Sequence, residues 1–152
     1  TLIKSIEEIG EWEFLQLTDE ELIDTVKHGF FGDSEFARIY YGTLRLGINL
    51  HQAPPGWIVQ DKDTLRLSLP PIQLLDQDFI DEARTKAFFE SGKWTEADRK
   101  QLYERAYSRM KQRCLTPANI AIAQANARQQ IENMMKSMGF KNVKTGFETD
   151  NK

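Results

Sequence analysis

The main change of hydrophobic period in this chain falls near Trp94, from two residues to about 3.6. Before that point Tyr40, Gly42, Leu44, Leu46, Ile48 and Leu50 alternate with Tyr41, Thr43, Arg45, Gly47 and Asn49, so one face of an extended strand is apolar. After it, Leu102, Ala106 and Met110 recur at four-residue spacing, the stripe of an amphipathic helix. Strands followed by helices, with no repeat or long linker, predict an α+β fold: a mainly antiparallel sheet in the N-terminal half, then two C-terminal helices and a last strand. At 152 residues this is expected as a single domain, 1–152, mostly strands over about 1–90 and helical over about 95–138.

Punctuation sets the element boundaries. Leu2, Ile3, Ile6 and Ile9 predict a short N-terminal helix closed by Gly10. From Trp12 to Lys27 the pattern is weak and predicts one or two strands, broken near Thr18–Asp19. The glycines of His28–Ser34 read as a turn or loop, and the prolines of His51–Gly56 as an exit from the sheet. Trp57–Gln60 and Thr64–Leu69 then form a hairpin around Asp61–Asp63, with shorter strands at Ile72–Leu75 and Ala83–Phe89. Thr95 and Asp98 form a capping box for a helix over Glu96–Leu115. Thr116–Pro117 opens a second helix or kinks the first, the helical stretch ends at Gly139, and Phe140–Phe147 returns as a strand.

Charge is distributed unevenly. Residues 1–33 carry nine acidic and two basic side chains, whereas residues 84–144 carry thirteen basic and five acidic ones, within a total of −3. The acidic N-terminal third is therefore expected to fold against the basic C-terminal half, or that half to face an anionic partner. Arg105, Arg109 and Arg113, spaced i, i+4, are the candidate residues for an anionic ligand such as lipid. The net acidic charge and the lack of a recognition motif argue against nucleic acid. Ile120, Gln124, Ala127, Ile131, Met134 and Met138 follow a heptad rhythm for under three heptads and are the candidate seam for self-association.

Catalytic signatures are sparse. One cysteine excludes an internal disulfide, and Cys114 falls on an apolar helix stripe where thiols are inert. His28 and His51 have no ligand spacing, and no nucleophile elbow, phosphate loop or dinucleotide fingerprint occurs, so no cofactor and no catalytic residue is assigned. Asp76, Asp78, Asp81 and Glu82 form the densest carboxylate cluster. They carry the alternative reading of a metal-dependent enzyme, against a simple solvated turn.

Tyr40–Leu50 (Tyr-Tyr-Gly-Thr-Leu-Arg-Leu-Gly-Ile-Asn-Leu), Asp63–Pro70, the Ile80–Asp81 step and Met138-Gly139-Phe140 after an Ala-rich helix resemble the bacterial family known as domain of unknown function 4230. Members show an aromatic-x-Gly strand, a strand ending in Leu-Pro, an Ile-Asp step and a helical region closing on Leu-Gly-Phe. Asn49 stands where Asp is common, which argues against an essential carboxylate there. The resemblance spans about Trp12 to Phe147 and has no activity attached. It implies the soluble domain of a cell-envelope protein anchored by a hydrophobic N-terminal segment, consistent with a sequence that opens on Thr1. The order of strands and helix is also loosely similar to band-7 domains of membranes. The expected function is a non-catalytic binding or assembly module whose partner is a second copy, another envelope protein or anionic lipid.

Overall fold

A computed structural model describes residues 1–148, so the last four residues of the expected domain lie outside it. A helix, α1 (Leu2–Glu7), leads into two long strands, β1 (Glu11–Gly29) and β2 (Gly32–Asn49). Four shorter strands follow, β3 (Ile58–Asp61), β4 (Thr64–Leu69), β5 (Gln73–Leu74) and β6 (Lys86–Glu90). Two helices, α2 (Glu96–Cys114) and α3 (Pro117–Ser137), and a last strand, β7 (Asn142–Phe147), complete the order. The α+β class holds, with antiparallel strands first, then two helices, then a strand. The last strand enters parallel, with β7 beside β4 from Thr64↔Asn142 to Leu69↔Phe147.

The chain forms two compact units, and β1 and β2 supply residues to both. Unit 1 comprises residues 1–16, 45–75 and 117 onward. It contains the sheet β3-β4-β7 and the pairing of β2 with β5, Leu46↔Leu74. Its core gathers Phe14, Leu46, Ile48, Leu50, Trp57 and the inward face of β4, Leu65, Leu67 and Leu69. From α3 it takes Ala123, Ala127, Ile131 and Met135. Unit 2 comprises residues 17–44 and 76–116. Here β2 pairs antiparallel with β6, Phe36↔Glu90 to Ile39↔Lys86, with a bulge between Ala37 and Arg38. Its core is Ile23, Phe36, Tyr40, Leu44, Phe79, Ile80, Trp94 and the stripe Leu102, Ala106, Met110 and Cys114.

The alternation read in Tyr40–Leu50 holds at every inward position, all six being buried. Gly42 is one of them for a steric reason: a Cβ there would lie 2.7 Å from Met110 Sδ. The capping box also forms, Asp98 N donating to Thr95 Oγ1 and Thr95 N to Asp98 Oδ2.

One expectation is corrected and another narrowed. No break interrupts β1 at Thr18–Asp19; the strand runs on through Gly29 with Glu21 and Ile23 inward. The pattern looked poor because carboxylates occupy positions that strands usually give to apolar residues. At His28–Ser34 the expected turn or loop is narrowed to a tight turn. Both strands continue to a two-residue turn, Phe30–Phe31, held between Gly29 and Gly32. Gly32 adopts φ +129, and a Cβ on Gly29 would sit 2.9 Å from the Gly32 carbonyl oxygen, so both positions demand glycine.

Candidate functional site

The arginine row lies one helical step from the buried stripe of α2, and this offset brings it to β1. Arg113 Nε is 2.7 Å from Glu21 Oε2 and Arg109 Nη1 is 4.0 Å from Glu21 Oε1. The closer pair meets as charges without hydrogen-bond alignment. Arg105 Nη1 donates to the Asp24 carbonyl at 2.9 Å, capping a carbonyl of a strand that among the described residues lies at the edge of its sheet beside β2. Farther along, Lys27 Nζ reaches Asp98 at 3.2 Å and sits 4.5 Å above the Trp94 ring. Acidic N-terminal strand and basic C-terminal helix thus meet within unit 2.

Glu21 is only 4 % exposed. Burial first, and then neighbouring Asp19, push its carboxyl above the ordinary carboxylate range, while Arg113 and Arg109 pull it back. Cys114 borders the same cluster, and burial pushes its thiol up, so it is a weak nucleophile. The arginine side chains stay partly open to solvent, 44 % for Arg109 and 63 % for Arg113.

The other sequence candidates are placed as follows. Asp76 Oδ1 accepts from Asp78 N at 2.9 Å, an Asx turn, and the Asp81 amide donates to the Tyr41 carbonyl at 2.8 Å. Among the described residues no three His, Cys, Asp or Glu side chains converge on one point as metal ligands. His28 Nδ1 is 3.0 Å from Asp33 Oδ1 across the hairpin. His51 lies in the 3-10 turn Leu50–Gln52, capped by Asn49 Oδ1, which accepts from the His51 amide, so the Asn at 49 has a structural task. Within the heptad seam, Ala127 and Ile131 are buried, Ile120, Gln124 and Met134 are half-buried, and Met138 is 45 % exposed. The buried line of α3 steps by four residues throughout, Ala123, Ala127, Ile131 and Met135, which divides the seam between core and surface.

The most unusual surface was missed by reasoning from sequence. Phe30 and Phe31 at the hairpin apex are 95 % and 99 % exposed, their rings packed edge to face at 4.9 Å. The same unit exposes Leu22 and Val26 on β1 and Phe88 and Phe89 on β6. Leu22, Ala37, Phe88 and Phe89 help line a shallow depression of about 390 Å³. The available signal was Gly-Phe-Phe-Gly itself, since turns favour Asn, Asp, Ser and Gly over aromatics. No helix among the described residues is long and apolar enough to cross a membrane.

Compared with known proteins, residues 4–145 match the family described as Protein of unknown function (DUF4230). Neither a curated protein nor a solved structure matches the chain.

Proposed function

Because the chain belongs to the DUF4230 family, whose description names no activity, we propose its function from its surface: a non-catalytic module of the cell envelope that docks on a lipid surface through the β1–β2 hairpin. The observation that carries this reading is the pair Phe30 and Phe31 at the apex, both almost wholly exposed. Leaving a phenylalanine in water forgoes about 1.5–3 kcal/mol available from burial, so two side by side are costly unless a partner covers them. A two-residue apex is far smaller than the ~800 Å² per partner of a stable protein interface. A bilayer interface takes a protruding apolar tip without needing a matching groove. The half-open Arg109 and Arg113 favour a surface bearing anionic headgroups.

Vesicle flotation tests the proposal with phosphatidylcholine alone and with added phosphatidylglycerol. The chain is expected to float with both, and better with the anionic mixture. The double variant Phe30→Ser/Phe31→Ser should lose at least ten-fold in partitioning, on the order of one buried aromatic side chain. Replacing Arg105, Arg109 and Arg113 with Gln should remove only the anionic increment. Failure of the parent chain to float, or equal flotation of the double variant, would overturn the reading.

A further inference from the structure

A second feature of unit 2 lies apart from the hairpin tip. Tyr40 is 1 % exposed and its buried hydroxyl has no hydrogen-bond partner. Burial pushes that hydroxyl above its ordinary range while the nearby Arg38 guanidinium pulls it back, so Tyr40 stays neutral at physiological pH. It lines a cleft of about 460 Å³ formed by β2, the 3-10 turn Glu82–Arg84 with the residue after it, and the first half of α2. Arg38 lies in the same cleft, half-buried, 5.9 Å from the Phe36 and Tyr40 ring centres. Among the described residues it forms no ion pair.

Two further cations line the cleft from α2. Arg99 is held by Glu96 at 2.9 Å, and Lys100 makes only a 4.0 Å contact with Glu104. Glu82 is exposed, and the Tyr103 ring is 6.4 Å from that of Tyr40. Arg38, Arg99 and Lys100 against Glu82 and Glu96 leave one positive charge in the lining. A half-buried guanidinium without a counter-ion and a buried donor without an acceptor both lack the same thing, an oxygen anion.

We propose that this cleft binds a phosphate or carboxylate group, with Arg38 as the anchoring cation and the Tyr40 hydroxyl as a second donor. Guanidinium suits such ligands because its planar fork matches two oxygens at once. Because the hydroxyl is buried, the anion reaches it only when long side chains of the lining such as Arg38 change rotamer.

Titration with inorganic phosphate, followed by the amide and arginine Nε–H resonances of the full chain, provides the test. Saturable shifts centred on Arg38, Tyr40 and Lys100 are expected. Arg38→Gln should weaken binding by about ten-fold or more, and Tyr40→Phe by up to about ten-fold, as for hydrogen bonds to a charged group. Tyr40→Phe keeps the ring and removes a hydroxyl without a partner, so it should fold normally in urea titration. Arg66→Gln, on an exposed arginine of unit 1, serves as the control and should change nothing.

A parallel arm uses vesicles containing phosphatidic acid with the Phe30→Ser/Phe31→Ser chain, so that the hairpin tip does not contribute. Arg38-dependent binding of free phosphate assigns the cleft to a soluble solute; Arg38-dependent binding of the vesicles alone assigns it to a lipid headgroup. No saturable binding in either arm, variants that bind like the parent, or an equal loss in Arg66→Gln would overturn the proposal.

Discussion

Glu21 shows how one side chain can make stability depend on pH. Asp19 from its own strand and Arg109 and Arg113 from the helix face it, and the balance leaves its carboxyl above the ordinary value of 4.5. Between that value and the folded one, the native protein holds the proton more tightly than the unfolded chain does. Glu21's contribution is therefore complete below pH ~4.5 and declines as pH rises through the folded value. Glu21→Gln has no such term, so in urea titrations its stability relative to the parent should improve as pH rises above about 4.5 and level off once the folded value is passed. Parallel stability profiles would contradict this. The same residue explains what sequence reasoning could not read. A carboxylate at an inward position erases the alternation that reveals a strand, and only the arginines some ninety residues later explain why it is there. Phe30 and Phe31 escaped notice for the opposite reason: the flanking glycines announced a turn so strongly that the turn's own residues went unweighed.

Elements whose local chemistry agrees with their tertiary role were legible. The strand Tyr40–Leu50 has apolar residues on its buried face, and α2 opens on a capping box that forms as read. Thr95→Ala should therefore cost about 1 kcal/mol in urea titration, the usual loss for an N-cap hydroxyl. In α3, alanines at nearly every other position let three-residue and four-residue steps read equally well. Packing chose the line through Ala123, Ala127, Ile131 and Met135. Ile131→Ala should accordingly lower stability by about 2–5 kcal/mol, as for a core cavity. The loss should be the same at every protein concentration. A loss that shrinks as concentration rises would instead return Ile131 to an interface between copies. Light scattering of the parent chain reads the remaining part of that seam, the exposed Met138.

For the whole molecule, the uneven charge read from the sequence is partly spent inside unit 2, where Glu21 and Asp98 meet Arg113, Arg109 and Lys27. Exposed pairs such as Arg66–Asp61 are screened by salt and contribute little. Added sodium chloride should therefore lower stability only slightly, yet reduce flotation with anionic vesicles markedly, because that binding uses the outward faces of the arginines. Comparable salt sensitivity of the two would mean that the row serves the fold alone.

The parallel pairing of β4 with β7 has a consequence for how the chain is made. Unit 2 ends at Thr116, whereas unit 1 needs α3 and β7, the latter extending to Phe147. During synthesis, every residue of unit 2 leaves the ribosome while one hydrogen-bonding edge of β4 still lacks its partner. Residues 64–69 must wait for residues 142–147. Pairings between distant segments form slowly, and an unmatched strand edge attracts other chains in the meantime. Losing even the last few residues of β7 should therefore harm the yield of folded protein well before it touches any binding surface.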